Sequence, residues 1–203
     1  TVVDYTAAFS CLFPKKAKVL VARDTRLTGD TIANSVISTL MASGINVIDI
    51  GITPTPTALY MVEKLKAHGG IMVSASHNPI EWNALKLIGK GGKFLDEKSV
   101  QELNKLYEKK SSRFVRALET GTYQKIDDAI EQHIKRIIRF IDVDKIKKRN
   151  FKVACDYVNG TGLFATPKLL KALGVKEISI NKEHTGKFSH IAEPSASSMK
   201  SLS

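Results

Sequence analysis

The strongest constraint on the fold is the alternation of two hydrophobic periods along the first third of the chain. Lys18-Val19-Leu20-Val21-Ala22 is a short apolar run of the kind a buried strand requires. From residue 30 to 43, Ile32, Val36, Ile37, Leu40 and Met41 recur at helical spacing, and Gly44 ends the pattern where a left-handed residue is needed. Residues 46–50 read as another strand, so this stretch predicts a βαβ unit. Leu59, Val62 and Leu65 then supply a helix face before the run Gly69-Gly70-Ile71-Met72-Val73, a further buried strand. Strands alternating with helices place the chain in the α/β class.

The last of these strands is stopped by Ser74-Ala75-Ser76-His77-Asn78-Pro79, because proline lacks an N–H and restricts the residue before it. Open α/β sheets bind ligands at the carboxyl ends of their strands. A serine hydroxyl there is a poor nucleophile alone, and His77 or Lys86 can supply a base or positive charge to activate it. Serine and Asn-Pro are also ordinary turn residues, so a capped loop with a solvated lysine stands beside that reading.

Residues 2–13 predict a helix ended by Pro14, and Arg23-Asp24-Thr25-Arg26-Leu27-Thr28-Gly29 a loop after the first strand, with Asp30 or Thr31 capping the next helix. Arg23 and Arg26 can face a phosphate or hold the strand end through ion pairs, the latter being the better account of Asp24. Residues 84–88 predict a strand and 89–93 a hairpin turn, with a helix from Asp96 or Ser99 to about Lys109. The polar stretch 111–121 reads as a connection between domains. A long helix carrying Ile130, Ile134, Ile137, Ile138 and Ile141 follows, with His133 on its surface. Near residue 144 a second strand-helix-strand unit begins, through residues 151–156, the turn Asn159-Gly160-Thr161-Gly162, a leucine-bearing helix and residues 177–180. Domains of 1–140 and 141–203 follow.

A chain of 203 residues with 43% hydrophobic and 25% charged residues buries a core rather than staying disordered. Its formal net charge of +11 raises a polyanion as partner. The lysines lie along helices rather than among exposed aromatics, so solvated faces are the better account and nucleic acid is disfavoured. Cys11 and Cys155 form no Cys-x-x-Cys pair, which argues against a zinc ribbon or disulfide framework and fits a reducing, cytoplasmic setting. Cys155 reads as a small buried hydrophobe. No apolar run is long enough for a membrane span, and His184 and His190 have no carboxylate or cysteine set to complete a metal site.

Ser74-Ala75-Ser76-His77-Asn78-Pro79, followed by Asn83-Ala84-Leu85-Lys86, resembles the phosphoserine loop of the α-D-phosphohexomutases. The loop 23–29, the segment Gly51-Ile52-Thr53-Pro54-Thr55-Pro56, the turn holding Asp156, Asn159, Gly160 and Gly162, and Phe188, His190, Glu193 and Pro194 resemble family segments in the same order. Ala22, Thr28, Ala84 and Ala192 depart from the family pattern. The resemblance implies repeated three-layer α/β/α domains with mixed sheets, of which the usual four are only partly present here. The arginine loop at the family's N-terminus, its metal-binding aspartate loop and its phosphate-gripping loop are not in the sequence. It therefore reads as a fragment or a truncated relative, needing the remaining domains or another chain to complete a cleft.

The resemblance further implies a phosphoglucomutase/phosphomannomutase-type reaction. Ser76 carries the phosphoryl group, with His77 and Lys86 as its catalytic neighbours and Arg23, Arg26 and Asn78 positioning loop or substrate. Mg²⁺ is bound through the Ser76 phosphate, and a hexose 1,6-bisphosphate acts as activator. Hexose phosphates of glucose or mannose are the first expectation; phosphoglucosamine and a noncatalytic basic binding module are the alternatives.

Overall fold

In a computed structural model describing residues 1–202, the first unit is a mixed sheet between two helical layers. Helix α1 (Val2–Ser10) leads into β1 (Lys18–Arg23), α2 (Gly29–Ala42), β2 (Asn46–Ile52), α3 (Thr55–Lys64) and β3 (Gly69–Val73). The hairpin of β4 (Leu85–Gly89) and β5 (Lys93–Phe94), helix α4 (Glu97–Glu108) and β6 (Tyr123–Lys125) complete it. The order is β5-β4-β3-β1-β2-β6; β1 pairs in parallel with β2 and β3, and β4 runs antiparallel to β3.

Alternation along each strand decides which layer it feeds. Val19 and Val21 of β1 and Ile71 and Val73 of β3 join Phe9, Val36, Leu40 and Leu103 on one side of the sheet. Leu20, Ala22 and Met72 join Ala58, Met61 and Val62 of α3 on the other. The chain leaves β1 for β2 along one face and returns to β3, on the other side of β1, along the opposite face. Right-handed crossovers require that arrangement, and it opens a crevice beyond the carboxyl ends of β1 and β3.

The stretch 111–121 is not the expected connection between domains. Arg113 donates to the carbonyl oxygens of Phe13 and Ser10 at 2.8 and 3.2 Å, Val115 N donates to Ala42 O, and β6 then pairs with β2. Polar composition hid this because the segment is held by backbone and arginine hydrogen bonds rather than by a periodic apolar face. Gly121 crosses the first unit so closely that an added Cβ would sit 1.7 Å from Ile45 O. Gly121→Ala is therefore expected to destabilise by about 1–3 kcal/mol, as overpacking does, lowering the urea midpoint without changing its slope.

The long helix expected around residues 130–141 ends sooner, as α5 (Ala129–Ile138), and a separate short helix, α6 (Val143–Lys148), follows it. Asp142 accepts from Lys145 N at 3.0 Å and so begins a new helix instead of extending the old one. The first helix likewise ends at Ser10 rather than Phe13, α2 begins after Thr28, and Asp96, not Ser99, caps α4.

Nor is His133 a surface residue. Its Nδ1 lies 3.0 Å from Thr57 Oγ1 and its ring stacks on Tyr60, because α5 packs against α3; burial lowers its pKa.

The second unit contains β7 (Lys152–Asp156), α7 (Gly162–Ala172) and β8 (Lys176–Ile180), with β7 and β8 parallel. Cys155 on β7 is half-buried, less enclosed than its apolar neighbours suggested. Helix α5 also packs on α7, where Lys168 bonds Glu131, and so joins the two units.

Candidate active site

The crevice beyond β1 and β3 is a cavity of about 340 Å³. Ser74, Ser76, His77 and Lys86 line it from the first unit, and Tyr157 and Phe188 from the second. Lys86 reaches it because antiparallel β4 places it opposite Met72 of β3. Thr55, at the start of α3, closes another side. The strand-end serine, histidine and lysine singled out from the sequence are thus brought together.

Ser76 stands in the left-handed region, with φ of 59°. That conformation costs an L-residue roughly 1–2 kcal/mol and persists only where the surroundings impose it. Here Ser74 Oγ accepts from Ser76 N at 3.1 Å, and Ser76 O accepts from Arg26 Nη2 at 3.0 Å. The turn presents the Ser76 side chain as exposed, directly after seven buried residues of the strand and its end.

Arg26 is the support beneath this loop. Its side chain is fully buried, and Nη1 donates to Pro79 O and Trp82 O at 2.6 and 2.8 Å, while Nη2 also donates to Asn78 O at 2.8 Å. Nε donates to Asp24 Oδ2 at 3.1 Å, and Asp24 Oδ1 accepts from Arg26 N at 3.0 Å. Five donors in a fixed fork are what allow one side chain to satisfy so many carbonyl oxygens. Arg23 instead pairs with Asp30 Oδ1 at 2.5 Å and ties the end of β1 to α2. Both arginines thus hold the loops, the ion-pair alternative of the sequence reading, and neither points a free guanidinium into the crevice. Asn78 is exposed; its backbone N donates to Ala75 O at 3.1 Å, and its carbonyl serves Arg26.

The second unit contributes contacts to which the sequence assigned no role. Phe188 lies over the Arg26 guanidinium at 4.9 Å, and His77 Nε2 is 3.3 Å from Glu193 Oε2. Gly186, at φ of 72°, passes over the loop 23–29, where a Cβ would meet Leu27 Cδ2 at 2.6 Å. His190, weighed and set aside as a metal ligand, bonds Asp156 instead. Thr25, in the cavity wall, buries a hydroxyl with no hydrogen-bond partner among the described residues. No periodicity announces any of these, since the residues lie on irregular segments.

Residues 1–114 match the family model described as phosphoglucomutase/phosphomannomutase, alpha/beta/alpha domain I, and residues 131–203 match that of domain II. The chain belongs to the phosphoglucomutase/phosphomannomutase family. A phosphoglucosamine/phosphogalactosamine mutase from Sulfurisphaera tokodaii is 33% identical over 98% of this chain and 44% of its own length. A phosphoglucomutase/phosphomannomutase from Thermococcus kodakarensis is 34% identical over 95% of this chain and 43% of its own length. Among solved structures, a putative phosphomannomutase from Thermus thermophilus superposes over 100% of this chain and 46% of its own, with a TM-score of 0.87 at 24% identity, a likeness of fold. The chain thus spans less than half the length of these family members. The mixed α/β architecture implied by the resemblance is the one observed, and no helix among the described residues is long and apolar enough to cross a membrane.

Proposed function

We propose that this chain is the phosphoserine-bearing part of a phosphohexomutase, which interconverts hexose 1-phosphates and hexose 6-phosphates. The observation that carries the reading is Ser76, held in a left-handed backbone by buried Arg26, in one cavity with His77 and Lys86. Strain maintained by a dedicated buried support is characteristic of functional loops. The unpartnered hydroxyl of Thr25 adds a polar group in the cavity wall.

In the proposed cycle, the phosphoryl group on Ser76 Oγ passes to a free hydroxyl of the bound hexose monophosphate. The Oγ–P bond breaks, the new O–P bond forms at the sugar, and the hydroxyl proton goes to Lys86 as a neutral amine or to His77. The hexose 1,6-bisphosphate turns over, and Ser76 Oγ takes its other phosphoryl group as the proton is returned. Whichever of His77 and Lys86 takes the proton is then a cation beside the transferred group, and charge placed where charge develops supplies most of such catalysis. Arg23, Arg26 and Asn78 keep the loop in place.

Mg²⁺ neutralises phosphoryl charge in reactions of this class and takes six oxygens. Among the described residues no three histidines, cysteines or carboxylates converge, so they do not by themselves fit the ion. The Ser76 phosphate is the one ligand we assign to this chain, the rest coming from elsewhere in the whole protein. Glucose, mannose and glucosamine phosphates all remain within the substrate class, as the names of the relatives span them. Two free cysteines agree with the cytoplasmic setting we propose, and we propose a division at residues 140/141, a reading supported by the separate sheets that hold β6 and β7–β8.

Incubation of the full chain with glucose 1,6-bisphosphate, followed by phosphopeptide mapping, is expected to place one phosphate on Ser76. An unmodified Ser76, together with salt-sensitive binding of nucleic acid, would instead favour a basic binding module.

A further inference from the structure

The segment 182–194 brings Phe188 and Ala192 to the serine cavity beside the second-unit turn that begins at Tyr157, and its anchorage has a chemical signature of its own. Asn159 Oδ1 accepts from Glu183 N at 2.9 Å, and Asn159 Nδ2 donates to Lys187 O at 3.2 Å. Further along, His190 is bonded at both ring nitrogens. Nδ1 lies 2.8 Å from Ile191 O, and Nε2 lies 2.9 Å from Asp156 Oδ2. A carbonyl oxygen and an ionised carboxylate only accept, so both nitrogens must carry protons and the ring is an imidazolium. Asp156 is fixed as its anionic partner: Oδ1 accepts from Val158 N and Asn181 Nδ2, both at 2.9 Å, Ser201 Oγ donates to Oδ2, and the side chain is 5% exposed.

We propose that the His190–Asp156 pair is a clasp holding the segment 182–194 against the serine loop, which makes His190 a positioning residue for the cavity. Phe188 and Glu193 flank His190 by two and three residues, so release of the clasp frees their interactions with Arg26 and His77 together. The neutral ring keeps a single N–H and cannot satisfy both acceptors at once, so deprotonation costs the clasp one of its two bonds and loosens it. Asp156 at the end of β7 is the charged group acting on the ring. Lys187 and Glu193 lie on its own segment, and Lys200 on the turn that carries Ser201.

The Asp156 bond raises the pKa of His190 above the ordinary imidazole value, while Asp156, through its bonds to Asn181, Val158 and His190, lies below the usual carboxylate range despite its burial. For a base so raised, the stabilisation is full below its unfolded value and is lost as pH rises through the folded one. The carboxylate sets the acid limit in the opposite sense.

NMR titration of the full chain tests this without any mutase assay. The His190 ring is expected to titrate above the ordinary histidine value, with the Phe188 ring and Ile191 methyl signals following at the same midpoint. In His190→Gln the Phe188 and Ile191 signals are expected to lose that step. A His190 ring titrating at or below the ordinary value, or Phe188 signals that do not follow it, overturns the clasp. Only the effect on rate rests on the mutase reading. There, the whole protein is expected to slow about tenfold across the same alkaline step, as breaking a charge-assisted hydrogen bond in the active form implies, and His190→Gln to be slow and flat. A clasp seen by NMR in a protein inactive at every pH overturns the mutase reading alone.

Discussion

Arg26→Ala is expected to destabilise the chain by about 3–5 kcal/mol, the range for removing one partner of a buried ion pair. The loss leaves Asp24 without its Nε partner and deprives the carbonyl oxygens of Ser76, Asn78, Pro79 and Trp82 of their donor. Each buried acceptor left unpaired carries its own desolvation penalty. Arg26→Lys should recover little of this, because three donors on a single nitrogen cannot reproduce a planar fork. Urea unfolding measures the loss, and limited proteolysis around residues 76–83 tells a released loop from a uniformly weakened unit. A variant within about 0.5 kcal/mol of the parent would show that the loop keeps its shape unaided.

Ser76→Ala is expected to abolish phosphohexomutase turnover in the whole protein, by about 10⁴-fold or more, since removing a nucleophile removes the covalent route. Ser76→Gly gives the more discriminating comparison. Glycine adopts a φ of 59° without penalty, so this variant should be inactive yet about 1 kcal/mol more stable than Ser76→Ala. Activity in the hexose phosphate assay and the urea midpoint should therefore separate in these two variants, the glycine chain being the firmer and both being dead. Equal stability would mean that Ser76 is not strained.

The parts of the structure legible in the sequence are those that periodicity writes directly. β1, α2, β2 and β3 follow from Val19, Leu20, Val36, Leu40, Val47 and Ile71, whose burial is nearly complete. The short β6 could not be read so, since Tyr123, Gln124 and Lys125 are all exposed and join the sheet through backbone hydrogen bonds to β2 and a bond from the Tyr123 hydroxyl to Asp49. His133 was misplaced because a helix wheel shows charged neighbours along α5 and says nothing of Thr57 and Tyr60 on α3. At the site, the sequence marked Ser76, His77 and Lys86, but left the arginines ambiguous. Only the path of the chain decides whether a guanidinium faces solvent or the carbonyl oxygens of a loop 50 or more residues away. Phe188 and Glu193 matched a family segment without any hint that they touch Arg26 and His77.

Arg26 leaves the ribosome 50 to 56 residues ahead of the carbonyl oxygens it serves. At ordinary synthesis rates it spends roughly 3–10 s as a solvated cation before they exist. Its burial waits for β3 to come alongside β1, and the left-handed turn at Ser76 waits with it. A nascent chain therefore carries Ser76 without its left-handed turn until β3 has docked beside β1, and any chemistry proposed for that turn waits for the same step.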